Sequence, residues 1–257
     1  MIKVIKKIIN FFLKPFNLNI IKINSLFFIN KDEMLSFEKN NPNYQLYFEG
    51  LKKSNNEKSD NYFKQSRFLD LINLVNFTLK KDKIEDFVEV GCWRGHSSYM
   101  ISCLIKKNSN KNINFHIFDS FEGLSDETKS DQNLSKLEKS QIFKIRTQFK
   151  SDEDFVKNKV LGDFDFVHTY KGWVPKKFYL LENKKFSFIH IDVDLYEPTL
   201  ESLKFFYPRL VDGGIIVCDD YNYRLFNGAK KACDEYFSDK KYSFSFQPAT
   251  GGYFVIK

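Results

Sequence analysis

An α/β fold on a mostly parallel sheet, with helices on both faces, is the architecture the sequence predicts. Three observations predict it. Beyond residue 80, short apolar runs alternate with helical patterns, as strand–helix–strand units require. Ten of the eleven glycines lie at or beyond Gly91, so tight turns and close backbone approaches concentrate there. Several apolar runs end in acids, at Asp119, Asp192 and Asp219; ligands of open α/β sheets sit beyond the carboxyl ends of the strands.

Residues 1–30 form a basic amphipathic segment. Ile2, Ile5, Ile9, Phe12 and Phe16 share one helical face, with Lys3, Lys7 and Lys14 on another. A helix docked on the body or on a second subunit is the preferred reading, and a weak peripheral contact with an anionic membrane surface the alternative. Residues 31–80 read as a helical extension or lid, polar around 40–43 and 52–60 and helical over 63–79. Residues 81–257 read as the main domain. Within it the pattern predicts strands over 86–90, 114–118, 164–169, 186–192 and 214–218, with a terminal strand pair at 242–246 and 253–256. Helices are predicted over 97–106, 199–210 and 229–237, and a charged helical insertion over 126–150.

The chain has 257 residues, 42% hydrophobic and 28% charged, near globular norms. No apolar run reaches the roughly 18–20 residues of a spanning helix. The net charge is +7, but residues 1–30 hold five lysines and no acid, leaving 35 basic and 33 acidic groups beyond. Only five of the 40 basic residues are Arg (67, 94, 146, 209 and 224). Without a clustered Arg-rich face, nucleic-acid binding is not expected. Cys92, Cys103, Cys218 and Cys233 show no paired spacing and suit a reducing cytoplasm. Lys14 and Pro15 interrupt the first apolar stretch and no small-residue cleavage site follows, which makes a poor signal peptide.

Three constellations carry candidate chemistry. The run Glu89-Val90-Gly91-Cys92-Trp93-Arg94-Gly95-His96-Ser97 follows a strand and opens a helix. Its glycines allow close approach to a ligand and the helix start offers free N–H groups; a plain strand–helix turn is the alternative. Trp93 and His96 exclude the dinucleotide G-x-G-x-x-G pattern. Asp119, ending the next strand, is placed either to cap its turn or to accept ribose hydroxyls; with the glycine loop it reads as a nucleoside site. Asp192, Asp219 and Asp220 end two further apolar strands. Such a carboxylate cluster calls for a cation, and oxygen donors suit Mg²⁺ over Zn²⁺. Asp194 stays outside that set. His190, inside an apolar strand, reads as a core histidine, and His96 and His168 are candidates to line the pocket.

These residues carry a resemblance. Glu89–Gly95 (EVGCWRG), Asp119–Leu124 (DSFEGL), Asp192–Thr199 (DVDLYEPT), Tyr207–Asn222 (YPRLVDGGIIVCDDYN) and Gly228–Asp234 (GAKKACD) are similar, in order, to the signatures of the macrocin O-methyltransferase-like family. That family comprises S-adenosylmethionine-dependent sugar O-methyltransferases. The resemblance covers about residues 80–237, is weak over 31–80 and absent over 1–30. It implies a class I (Rossmann-like) methyltransferase fold with an antiparallel C-terminal strand. It also implies that Gly91, Gly95 and Ser97 hold the methionine part of the cofactor, that Glu89 supports the loop, and that Asp119 binds ribose with Ser120 beside it. Asp192, Asp219 and Asp220 would bind Mg²⁺, with Asp192 also the general base. Lys171-Gly172-Trp173 resembles the family's KGW stretch, but Val174–Tyr179 departs from it, so no acceptor pocket carries over.

Two other functions compete. Asp192-Val193-Asp194 imitates the D-x-D of a metal-dependent glycosyltransferase, a reading that leaves the glycine loop and Asp219–Asp220 unexplained. A catalytically silent protein of the same fold is the non-enzymatic alternative. The sequence does not identify the acceptor (deoxysugar, nucleotide-sugar or surface-glycan unit), the methylated position, or whether the chain forms a homo-oligomer.

Overall fold

In a computed structural model, the described residues are the backbone of Leu18–Ile23 and Ser25–Asn30, and residues 41–108, 112–132, 136–223, 225–248 and 251–257. Residues 2–16, expected to form the amphipathic helix, lie outside them. The chain divides into two units, Met1–Leu46 and Tyr47–Lys257. In the first, β1 (Leu18–Ile23) and β2 (Ser25–Asn30) pair antiparallel, with Leu18 opposite Asn30 and Ile23 opposite Ser25. No strand was expected here: lysine spacing was weighed in place of the Ile- and Phe-rich composition that suits a pleated pair.

Helix α1 (Pro42–Lys53) follows, between the two stretches read as polar, and buries Tyr44, Leu46, Tyr47 and Leu51. Helix α2 (Tyr62–Leu79) starts as expected from an N-cap: the Asn61 side chain accepts the Lys64 amide at 3.0 Å. Phe68, Leu71, Ile72, Val75 and Leu79 recur at helical spacing and are all buried.

The second unit is organised by a seven-stranded sheet. Its strands are β3 (Asp86–Val90), β4 (Phe115–Asp119), β5 (Val167–Lys171), β6 (Phe186–Ile191), β7 (Leu210–Cys218), β8 (Phe244–Phe246) and β9 (Tyr253–Ile256). The spatial order is β5-β4-β3-β6-β7-β9-β8. β3 to β7 are mutually parallel, whereas β9 is antiparallel to both β7 and β8, as the expected terminal pair requires. The remaining helices are α3 (His96–Lys107), α4 (Lys139–Gln148), α5 (Tyr196–Phe206) and α6 (Asn227–Phe237). The β3-α3-β4 and β6-α5-β7 crossovers step in opposite directions, which puts right-handed connections on opposite faces.

β3 and β6 are buried at every position, as strands covered on both sides must be. Phe206 of α5 fills the space against Phe118, Phe178 and Phe186, with ring centroids 6.0, 4.6 and 5.5 Å away. Much of the phenylalanine in this sheet region thus ends up as core, although Phe77, Phe143, Phe244 and Phe246 stay exposed.

The register decides where chemistry can occur. Val90 pairs with Phe118 on one side and Ile191 on the other, and Ile191 pairs with Cys218. Four strands end level, so the next residues, Gly91, Asp119, Asp192 and Asp219, emerge on one rim.

Two expectations need correction. Among the described residues of the insertion over 126–150, the helix covers Lys139–Gln148, and Asp131 turns inward to accept the Tyr196 amide at 2.9 Å instead of continuing a helix. β5 begins at Val167, not at residue 164: Phe164 closes a turn, donating its amide to the Leu161 carbonyl at 3.1 Å.

Candidate active site

Backbone hydrogen bonds stitch the strand tips together. The Gly91 amide donates to the Phe118 carbonyl (2.8 Å), the Asp192 amide to Val90 (2.8 Å) and the Asp219 amide to Ile191 (2.9 Å). Gly91 has φ +88°, and a Cβ there would lie 1.9 Å from the Asp192 carbonyl oxygen. Only glycine permits that contact. Above the tips opens a cavity of about 300 Å³, whose wall includes Gly91, Trp93, Asp119, Ser120, Trp173 and Asp192. Glu89, Gly95, Ser97, Asp219 and Asp220 are not part of that wall.

Asp119 is held by its neighbours. Its Oδ2 accepts the amides of Cys92 (2.7 Å) and Trp93 (2.8 Å), and its Oδ1 accepts that of Phe121 (2.7 Å). Burial raises its pKa above the ordinary carboxylate value, against the pull of those amides. A carboxylate offers about four acceptor sites, so one remains for a ligand hydroxyl while the others shape the glycine loop. The Ser120 hydroxyl donates to the Gly123 carbonyl at 2.9 Å, which folds the next turn back.

Glu89 lies beneath the loop, fully buried, accepting a hydrogen bond from the Ser98 hydroxyl and bonding His190 Nδ1 at 2.9 Å. Gly95, at φ +80°, precedes α3, and Ser97 is buried in that helix's first turn. His190 is more than a core filler. Burial alone would lower its pKa, but the flanking carboxylates of Asp219 and Glu89 outweigh it and hold the value at about 10. His96 packs instead against Tyr47 and Phe68, with Nε2 2.9 Å from the Tyr47 carbonyl oxygen. His168 bonds Asn114 Oδ1 at 3.1 Å and stacks on His116. Neither lines the cavity.

Of the three acids expected to form a cation site, the structure brings Asp192 and Asp219 together and leaves Asp220 outside. Asp192 is half-buried at the cavity, and burial together with the charge of Asp219 raises its pKa to about 6. Asp220 accepts the Asp194 amide through Oδ2 at 2.9 Å, which helps hold Asp194 at φ +61°. Burial pushes the carboxyl groups of Asp194 and Asp220 well up, each reinforced by acidic neighbours. Among the described residues, His190, Asp192 and Asp219 each offer a ligand atom within 4.8 Å of the others. Asp220 is outside that trio. Excess buried carboxylate, and an Asp219 Oδ2 with no hydrogen bond, fit a divalent cation held mainly by oxygen.

Sequence reasoning missed two cations on α2. Arg67 Nη1 stands 3.1 Å from Asp219 Oδ2. Burial would raise the pKa of Asp219, but Arg67, together with His190 and Lys64, outweighs it and Asp219 is lowered. Lys64 sits over the faces of Phe68 and Trp93, 5.3 and 5.9 Å from the ring centroids, and burial lowers its pKa to about 8. The only sequence signal was the scarcity of arginine.

Residues 52–246 match the sequence model of the macrocin-O-methyltransferase (TylF) family. A curated relative, the Streptomyces olivaceus 8-demethyl-8-(2,3-dimethoxy-alpha-L-rhamnosyl)-tetracenomycin-C 4'-O-methyltransferase, is 28% identical over 140 residues, 53% of this chain and 52% of that one. The demethyldecarbamoylnovobiocin O-methyltransferase of Streptomyces niveus is 24% identical over 159 residues, 59% of this chain and 57% of the relative. The chain therefore spans little more than half the length of these relatives. Among solved structures, the O-methyltransferase NovP superimposes with a TM-score of 0.62 at 22% identity, covering 74% of this chain and 79% of that one. That likeness establishes the class I methyltransferase fold. Among the described residues, no helix is long and apolar enough to cross a membrane.

Proposed function

The chain belongs to the macrocin-O-methyltransferase (TylF) family, and from that premise we propose that it is an S-adenosylmethionine-dependent O-methyltransferase acting on a sugar hydroxyl with Mg²⁺ assistance. One observation carries the reading: a single cavity is lined by the glycine loop at Gly91, by Asp119 and Ser120, and by Asp192. A nucleoside donor and an acidic group able to take a proton thus share one chamber.

In this reading Gly91, Gly95, Ser97, Asp119 and Ser120 form the donor side, and Glu89 supports the loop from below. Asp119 gives its remaining acceptor capacity to ribose. Of the expected 31–80 lid, α2 brings Arg67 to Asp219 and Lys64 to the face of Trp93. The acceptor enters beside Asp192. A sugar hydroxyl is a weak nucleophile because its pKa is far above neutrality, so a base must take its proton as the new bond forms. Asp192, with its pKa raised to about 6, is a stronger base than an ordinary aspartate yet largely ionised at neutral pH. The acceptor oxygen bonds to the methyl carbon, the carbon–sulfur bond breaks and S-adenosylhomocysteine leaves. Asp192 keeps the proton until solvent removes it. Holding the oxygen, carbon and sulfur in line supplies most of the remaining advantage. Asp192 and Asp219 would hold Mg²⁺, which when bound would supply charge stabilisation at the developing alkoxide, while Asp220, expected as a third ligand, holds the Asp194 amide instead.

The relatives act on rhamnosyl-tetracenomycin and demethyldecarbamoylnovobiocin by name. A glycosylated small molecule is therefore the acceptor class to test first. Calorimetric titration with S-adenosylhomocysteine and with nucleoside diphosphates separates methyl transfer from glycosyl transfer: S-adenosylhomocysteine is expected to bind, and tight binding of a diphosphate alone would overturn the reading. Asp192→Asn and Asp219→Asn are expected to abolish methyl transfer, followed by mass spectrometry, while cofactor affinity stays within a few fold. Full activity of both variants in EDTA would remove the metal role.

A further inference from the structure

We infer that Arg67 is an internal cation competing for the strand-tip acids: its guanidinium holds Asp219 until a divalent cation displaces it. The inference rests on reading Asp192 and Asp219 as cation ligands.

Three observations meet at this side chain. First, Arg67 Nη1 lies 3.1 Å from Asp219 Oδ2, an oxygen with no hydrogen bond. Asp219 also belongs to the trio whose ligand atoms converge within 4.8 Å. The guanidinium and a divalent cation would therefore use the same carboxylate. Second, the grip is incomplete. Guanidinium–carboxylate pairs gain strength from two parallel hydrogen bonds, whereas here one nitrogen approaches Asp219 and, among the described residues, the buried Arg67 Nε has no hydrogen-bond partner. A half-made pair is easier to exchange than a bidentate one. Third, the arginine reaches in from α2, its Cδ 3.2 Å from where a Cβ on Gly251 would lie. It therefore packs between the helix and the turn before β9, outside the strand tips that carry the acids.

The other charges around Asp219 do not replace this role. His190 bonds Glu89 through Nδ1, its Nε2 standing 3.9 Å from Asp219 Oδ1, and Lys64 donates to the Ser59 hydroxyl at 2.7 Å. Arg67 is the cation that meets the open oxygen. A cation ligated by Asp219 would repel a guanidinium in hydrogen-bond reach of the same atom, so occupancy by one disfavours the other.

The test needs neither cofactor nor acceptor. Mn²⁺ binding to the full chain is measured from the electron paramagnetic resonance signal of the free ion, for wild type, Arg67→Met, Arg67→Gln, Arg67→Lys and Asp219→Asn. Circular dichroism checks each fold, and Arg67→Gln carries the test if Arg67→Met fails to fold. The expected result is at least about tenfold tighter Mn²⁺ binding in the neutral variants, with Arg67→Lys within about threefold of wild type. Equal or weaker binding in the neutral variants, while Asp219→Asn loses the ion, would overturn the competition and leave the cation site standing. Failure of wild type and neutral variants alike to bind at millimolar Mn²⁺ would overturn both.

Discussion

Asp119 shows how one side chain serves two purposes. Three backbone amides converge on it, so it shapes the glycine loop before any ligand arrives. Removing it strands the Cys92, Trp93 and Phe121 amides, each at a cost of the order known for unsatisfied buried donors. We expect Asp119→Ala to weaken S-adenosylhomocysteine binding by about 1–3 kcal/mol, measured by calorimetry; unchanged affinity would show that the ribose contact lies elsewhere. The strand-end position was legible in sequence, because an apolar run stopping at an acid predicts a rim residue. The amide contacts were not, since they depend on Trp93 and Phe121 adopting φ +48° and +58°, which neither residue type announces. His190 is the opposite case: its apolar neighbours indicated burial, but its bond to Glu89 arises only where β3 lies beside β6.

At the scale of elements, the sheet is pinned at both ends. On the cavity side, tip-to-tip backbone bonds align β3, β4, β6 and β7. At the opposite end, Asp86 opens β3, bonding His116 Nε2 of β4 at 3.1 Å and Lys184, before β6, at 2.9 Å. Burial would raise the pKa of Asp86, but those hydrogen bonds outweigh it and hold it well below the ordinary value. A carboxylate depressed in the folded state stabilises above its unfolded pKa of roughly 3.9, and that stabilisation fades as pH falls towards the folded value. Asp86→Asn is therefore expected to cost about 1 kcal/mol at neutral pH, discounted because Lys184 is half exposed. In thermal melts the gap to wild type should close below about pH 3; a gap independent of pH would mean that shape, not charge, is what Asp86 contributes. Periodicity located these strands to within a few residues. It failed over 126–150, where charged residues imitate a helix but Asp131 is drawn inward.

For the whole molecule, the division at residue 46 has a consequence. Every cavity-lining residue lies between Gly91 and Pro198, and Lys64 and Arg67 belong to the same unit, Tyr47–Lys257. Deleting residues 1–40 is therefore expected to leave S-adenosylhomocysteine affinity within about threefold, as read by calorimetry. A loss beyond about tenfold would make the first unit part of the donor site. The basic excess lies in residues 1–30, outside the stretch of sequence, 91–198, that supplies the cavity lining.

The sequence by itself determined the fold class, the rim and the identity of the acids on it, because strands, turns and their ends are written in local patterns of apolar residues, glycine and carboxylates. Tertiary structure alone decided which charges meet. Arg67 and Asp219 are far apart in the chain and come within 3.1 Å only because the first half of α2 reaches the strand tips. No local pattern encodes such a pair: its energy comes from burial and proximity, which exist only once the helix and sheet are in place.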